Sequence, residues 1–223
     1  SLLLIPIESL VHGSRLPWFV LRALPLVQPA FLMALAIGVG CVLAPRCNLE
    51  APILSAISDR SFHWTLLRGR MAPAVAGGLF GALCIGVYGL ITTHLSAIPP
   101  HTPGVPLLTG LLYGGIGEEI LMRWGLMTLC VWIGQRLAGE ARPSVYLGAI
   151  AISAFLFGLG HLPFLHALVP HASMGLVALV IAANAMPGCV FGWLFWKHGL
   201  ESAMMAHAIA HLAVFGLMAV IAA

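Results

Sequence analysis

The chain has 223 residues, of which 61% are hydrophobic and 8% are charged. Soluble domains carry about 25% charged residues, so the composition excludes a water-soluble globule, and it also excludes disordered and disulfide-scaffold classes. The formal net charge of +3 is small and scattered, which does not indicate a nucleic-acid partner. We therefore predict an all-α, polytopic transmembrane helical bundle that forms one domain over residues 1–223.

Apolar segments along the chain predict about six to seven membrane spans, because a span needs about 20 mostly apolar residues. An interfacial helix is expected before them in residues 1–23, where Trp18 and two arginines stand among leucines. The six segments that the pattern delimits are residues 24–44, 72–98, 107–135, 144–167, 173–196 and 200–222.

Two polar stretches interrupt the apolar pattern. Residues 45–70 hold four arginines, Glu50 and Asp59, and we interpret them as one aqueous loop with a short amphipathic helix around residues 62–64. Residues 99–106 contain four prolines and a glycine, which predicts a turn that stops any helix.

The segment 107–135 is long for a single span. At the α-helical rise it would measure about 43 Å, against a hydrocarbon core of about 30 Å. We therefore expect it either to tilt steeply or to break, with the glycine-rich run 114–117 as the weak point.

The same segment carries three charged residues, Glu118, Glu119 and Arg123. Each would cost at least about 2.5–3.5 kcal/mol at the centre of the bilayer, so they must face protein groups or a water-filled cavity. Glu119 and Arg123 are four residues apart and can form an ion pair on one helix face. Glu118 points about 100° away and is left as a candidate base. The alternative is that all three form a structural polar cluster that ties helices together.

Histidines occur in two other predicted spans. His161 follows Phe157 by four residues in the span 144–167, and His207 and His211 are four residues apart on one face of the last span. A lone buried histidine is commonly a satisfied core residue, whereas a spaced pair in an apolar helix is harder to explain by packing. Because these histidines lie at a membrane depth similar to that of Glu118, we expect one buried site.

Asn184 and Pro187 interrupt the apolar span 173–196. We interpret them as a kink in which a freed carbonyl finds a local partner. A contribution of Asn184 to the buried site is the alternative.

Three ordered motifs in these segments resemble those of a known protease family. The patterns E-E-x-x-x-R, F-x-x-x-H and H-x-x-x-(N/H) are typical of the CAAX protease and bacteriocin-processing (CPBP/Abi) family, which includes the Ras-converting CAAX endopeptidases. In this chain they are formed by Glu118, Glu119 and Arg123, by Phe157 and His161, and by His207 and His211.

The resemblance implies an intramembrane endopeptidase in which Glu118 activates the attacking water. It implies that Glu119 and Arg123 fix the geometry of the site and that the third motif stabilises the oxyanion. His211 stands where the CAAX endopeptidases have asparagine, as in other branches of the family, so we expect a peptide or protein substrate reached from the membrane without specifying a prenyl group. The histidines carried over from the second and third motifs are His161, His207 and His211.

Other chemistries remain open at this stage. No cofactor is our first expectation, because no H-E-x-x-H sequence occurs; zinc is the alternative, since carboxylate and imidazole ligands suit it. No serine stands in a recognisable nucleophile elbow and no cysteine accompanies the motifs, which disfavours covalent catalysis. The zinc ligands would be Glu118, His161, His207 and His211.

Two functions from other classes compete with the hydrolase. Buried Glu, His and Arg also mark proton-coupled membrane transporters, although the chain has no visible inverted repeat. A non-catalytic membrane scaffold would keep the same residues for folding. In every case we expect a multi-pass integral membrane protein, with a bacterial inner membrane as the expected location; the oligomeric state is not predicted.

Overall fold

A computed structural model describes residues 18–95 and 106–221, with side chains described for residues 26–95 and 106–220. Within these ranges the chain is helical and has no strand, as predicted. The α-helices are α1 Trp18–Leu43, α2 Pro52–Ser58, α3 Trp64–His94, α4 Leu107–Thr109, α5 Thr128–Ala138, α6 Pro143–Leu159, α7 Leu162–Leu168, α8 Met174–His198 and α9 Leu200–Ile221.

In the part of the chain that the structure describes, five segments are long and apolar enough to cross a membrane, so the chain is an integral membrane protein. They correspond to five of the six predicted spans. The sixth predicted span, 107–135, is helical as well, but it carries the three charged residues and is built from several kinds of helix. The five segments are Leu26–Leu43, Trp64–His94, Pro143–Leu168, Met174–His198 and Leu200–Val220.

Several predicted boundaries differ from the structure. The predicted loop 45–70 ends at residue 63, because α3 begins at Trp64 and takes up residues 64–70, and the short helix α2 precedes the expected position at 62–64. Residues 1–17 of the predicted interfacial helix lie outside the described residues, while 18–23 are the first turns of α1. Residues 99–105 of the proline-rich turn also lie outside them.

Residues 107–138 form a composite helix that does not break at its glycine run. Two π-helical sections, Gly110–Glu118 and Ile120–Met127, stand between α4 and α5. A π-helix forms i→i+5 hydrogen bonds and rises less per residue than an α-helix, which shortens a segment too long for one straight span. Gly114 is needed here because a Cβ would lie 2.6 Å from Nε2 of His211 in α9. The glycines therefore serve close helix packing and do not mark a break.

The buried core lies where α8 and α9 meet α3 and the composite helix. Its side chains include Phe191, Phe195, Met127 and Ala206, all 1% exposed or less. The small alanines of α9 let large α8 side chains pack closely against α3. This packing surrounds the charged residues of the composite helix with protein groups.

Polar contacts join α2 and the residues before it to the start of α9. We call this region the loop-side junction; it consists of Glu50, Leu54, Gly199, Leu200 and Glu201. Oε1 of Glu201 accepts the backbone N–H of Leu54 at 2.7 Å, and Leu200 N–H donates to the Glu50 carbonyl at 3.0 Å. Gly199 has φ +89°, a left-handed conformation that favours glycine. The junction holds the polar segment between α1 and α3 against the start of α9.

Candidate active site

A cavity of about 110 Å³ lies between the composite helix, α3, α6, α8 and α9. This volume holds a few water molecules and is smaller than the roughly 300–1,000 Å³ of ordinary small-molecule pockets. Both histidines of α9 contribute to it, together with Glu118. The polar residues that line it include Thr109, Tyr113, Glu118, His161, Asn184, His207 and His211.

The π-helical section decides which side chains of the composite helix reach the cavity. The composite helix lines the cavity at positions 109–110, 113–114 and 118. This spacing of about four to five residues matches the wide π turn better than the 3.6-residue α turn. Tyr113 is therefore on the same side as Glu118. An expectation based on the α-helical period does not single out Tyr113.

Glu119 does not line the cavity but forms a solvent-inaccessible ion pair with Arg123. Its Oε2 lies 3.1 Å from Nε of Arg123, and both side chains are fully buried. Nη2 of Arg123 donates to the Gly188 carbonyl at 3.0 Å, and its guanidinium lies 5.2 Å from the ring centroid of Phe157. The ion pair expected from the i,i+4 spacing is present, and it ties the composite helix to α8.

His207 joins this ion pair to the cavity. Its Nδ1 is 2.8 Å from Oε1 of Glu119, and its Nε2 is 3.8 Å from Oε2 of Glu118. The ring lies between those of Phe191 and His211, with centroid distances of 4.9 and 5.1 Å and interplanar angles of 25° and 16°. Because an ionised carboxylate only accepts hydrogen bonds, Nδ1 carries the hydrogen and Nε2 is directed to Glu118.

His161 lies within the span Pro143–Leu168, as expected, at a short interruption between two helices. Helix α6 ends at Leu159 and α7 begins at Leu162, an interruption favoured by the neighbouring glycines and by Pro163, which cannot continue the α6 hydrogen-bond ladder. Nδ1 of His161 is 2.9 Å from the Phe157 carbonyl. Irregular backbone at membrane depth is tolerated where it lines a cavity, and His161 lines this one.

The four residues considered as zinc ligands meet around the cavity but do not form a metal-binding group. Among the described residues, no set of three or more His, Cys, Asp or Glu is arranged to hold a metal ion. The stacking is consistent with this: the rings of His207 and His211 lie in nearly parallel planes with their centroids 5.1 Å apart, so their in-plane lone pairs lie in separate planes. Nδ1 of His207 is also engaged by Glu119.

Sequence reasoning missed some of the surroundings of the site. Phe191 stacks on His207 and is 1% exposed, but nothing in the sequence distinguishes it from other apolar residues of α8. Asn184, kept as an alternative, lines the cavity, and its Nδ2 donates to the Val180 carbonyl at 2.8 Å.

A family model described as type II CAAX prenyl endopeptidase Rce1-like matches residues 100–213, a little over half of the chain and the part that contains all three motifs. The chain belongs to this family. Family membership supports a membrane protease, in agreement with the resemblance of the motifs. Comparison with curated proteins and with solved structures found no match.

Proposed function

We propose that the protein is an intramembrane endopeptidase that hydrolyses a peptide bond with a water molecule activated by Glu118. One observation carries this proposal: Glu118, His161, His207 and His211 come from distant parts of the chain and line one cavity. Family membership supports the protease class. No separate observation favours a carrier or a scaffold.

The two adjacent glutamates have different environments, and this supports different roles. Glu119 is fully buried and is engaged by Arg123 and His207. The Glu118 side chain is 19% exposed and lines the cavity, where a water molecule can reach it. Glu118 is therefore the base in this proposal, and Glu119 and Arg123 position His207.

Charge balance supports an imidazolium at His207. Its Nδ1–H is given to Glu119, so Nε2 can donate to an oxyanion only when the ring carries both protons. Two carboxylates, Arg123 and an imidazolium then sum to zero charge, which a low-dielectric site favours over an unpaired carboxylate. The 3.8 Å between Nε2 and Glu118 Oε2 is too long for a direct hydrogen bond but can be bridged by an oxygen atom bound to both.

The reaction then follows from these positions. Glu118 takes a proton from water, and the resulting hydroxide attacks the scissile carbonyl carbon. Nε2–H of His207, with His211, donates to the developing oxyanion; one such donor contributes about 10²–10³ in rate. When the C–N bond breaks, protonated Glu118, directly or through His161, returns the proton to the leaving amine.

The substrate class that we propose is a peptide or protein segment that enters from the membrane. A prenylated CAAX peptide is the first probe, because the matched family is described by that activity. His211 at the end of the third motif leaves room for other substrates. A bacterial inner membrane stays a prediction from the resemblance.

The test is cleavage of a farnesylated fluorogenic CAAX peptide by the protein in liposomes. We expect Glu118→Gln to lower the rate by about 10²–10⁴, the range for a lost general base, with an unchanged unfolding temperature. The matched control is Glu140→Gln, because the Glu140 side chain is 60% exposed and does not line the cavity. Full activity of Glu118→Gln would overturn the assignment of the base.

Chelation tests the choice of water over zinc. Because no set of three or more His, Cys, Asp or Glu among the described residues is arranged to hold a metal ion, we expect activity to survive dialysis against a strong chelator. Stoichiometric zinc in the purified active protein, lost together with activity on chelation and restored with it, would contradict the metal-independent mechanism.

A further inference from the structure

The α8 wall of the cavity offers hydrogen-bond acceptors that the catalytic proposal does not use. Ala183, Asn184 and Pro187 all line the cavity. They are consecutive or one turn apart on α8, so they form one continuous patch. No family motif considered above includes them.

Asn184 presents an acceptor to this patch. Its amide nitrogen donates to the Val180 carbonyl at 2.8 Å, and since a carbonyl can be bonded only by the NH2 group, the assignment of nitrogen and oxygen is fixed by chemistry. Oδ1, the acceptor atom of this amide, is not used in the contact with Val180.

Pro187 frees a second acceptor next to the first. In an α-helix the carbonyl of residue 183 accepts from the N–H of residue 187, and proline has no N–H and its ring displaces that carbonyl. Pro187 lies inside α8 and is buried, so the Ala183 carbonyl lacks its ordinary helical partner. Two adjacent residues that border the cavity, Ala183 and Asn184, thus each carry an acceptor of this kind.

We propose that Oδ1 of Asn184 and the Ala183 carbonyl form a subsite that accepts backbone N–H groups of an extended substrate beside the scissile bond. The inference rests on the proposed function, because it supplies the substrate. A peptide that leaves water for the membrane carries N–H groups that need acceptors. Glu118 is an acceptor as well, but the catalytic proposal commits it to water.

The experiment compares farnesylated CAAX peptides in which one backbone amide at a time, on either side of the scissile bond, is replaced by an ester. Binding is measured in lipid nanodiscs on the Glu118→Gln background, and cleavage is measured in parallel with Glu118 intact. We expect at least one ester to bind about tenfold more weakly than the amide peptide, the ordinary value of one hydrogen bond.

Two variants assign that loss to the subsite. Asn184→Leu removes the side-chain acceptor, and Pro187→Ala returns an N–H to the Ala183 carbonyl. For each variant we expect the amide and ester peptides to bind with about equal affinity at one substrate position. Met186→Leu, on the same helix but 52% exposed, is the control and should keep the tenfold ratio.

The outcomes separate the subsite from the proposed chemistry. Peptide binding that depends on Asn184 without any cleavage would support the subsite and contradict the endopeptidase. If the protein with Glu118 intact cleaves the peptide, but the Glu118→Gln protein binds amide and ester peptides equally, the subsite is overturned and the endopeptidase stands. This outcome is measured without any α8 variant, so misfolding of Asn184→Leu cannot obscure it.

Discussion

Two carboxylates of the bundle have opposite surroundings: the half-buried Glu118 at the cavity and the buried Glu201 in the loop-side junction. Glu201 is 8% exposed and accepts the backbone N–H of Leu54, close to the first turns of both α2 and α9. Helix N-termini stabilise an anion there. Glu118 has instead a cavity, two stacked imidazoles and His161 around it. Burial of an acid is therefore not a sign of chemistry; access to water and to proton-carrying partners is.

Glu119 extends the comparison, because it is as buried as a core residue yet belongs to the site. It is bonded to fixed groups, as Glu201 is, but one of those groups is His207, which reaches the cavity. In the proposed mechanism this ion pair therefore takes part in catalysis only by orienting its neighbour His207.

The largest expected effect comes from breaking the solvent-inaccessible ion pair. Arg123→Met leaves the fully buried Glu119 carboxylate without its guanidinium partner, and we expect a loss of about 3–5 kcal/mol in the free energy of unfolding. Unfolding in mixed detergent micelles measures it. Arg136→Met, at an exposed position, is the control and should change little; recovery of stability in the double variant Glu119→Gln/Arg123→Met would show that the unpaired charge causes the loss.

The next effect comes from the close approach of α9 to the π-helical section. In Gly114→Ala the new methyl group would lie 2.6 Å from Nε2 of His211 and 3.4 Å from Nε2 of His207, so the His211 ring must shift and the His207 ring beside it has no spare room. We expect the cleavage rate to fall about 10²–10³-fold, the value of a misplaced oxyanion donor. Gly86→Ala, where a Cβ meets nothing within 4 Å, should retain activity. A fully active Gly114→Ala protein would count against the donor role of these imidazoles.

A smaller effect is expected for the aromatic support of His207. Phe191→Leu keeps a large apolar side chain but loses the stacked ring, so the imidazole gains freedom to rotate. We expect kcat to fall about tenfold at nearly constant KM, because the loss concerns orientation in the transition state. Phe215→Leu, 48% exposed on α9, is the matched variant. An equal change in both variants would assign the effect to general packing.

The smallest effect belongs to the loop-side junction. Glu201→Gln turns a charge-assisted hydrogen bond to Leu54 N–H into a neutral one, and we expect a loss of about 1 kcal/mol in stability. Activity per folded molecule should stay at the wild-type level. A rate loss in Glu201→Gln as large as that of Glu118→Gln would remove the distinction between the two carboxylates.

Much of the fold could be predicted from the sequence, because a membrane span depends on a continuous stretch of about 20 mostly apolar residues. Five predicted spans have the required length and apolarity, and the Glu119–Arg123 pair follows from helical spacing alone. The π-helical sections could not be predicted, since they depend on how the glycines pack against α9. The interruption at His161 was missed for a similar reason: a run of apolar residues hides a local helix end.

The candidate site was predictable as a set of residues but not as an arrangement. The motifs named Glu118, His161, His207 and His211, and the structure brings all four to one cavity. Their division of labour depends on contacts that no spacing encodes, such as the hydrogen bond between Glu119 and His207. The stacked rings of His207 and His211 are likewise a product of tertiary packing.

The most direct test of the account is the single-turnover cleavage rate, per folded molecule in liposomes, of Glu118→Gln beside Glu201→Gln. Both variants replace one carboxylate by an amide of nearly the same shape. The account predicts a fall of about 10²–10⁴ for Glu118→Gln and the wild-type rate for Glu201→Gln. Equal rates for the two variants would contradict the claim that the carboxylate at the cavity activates water.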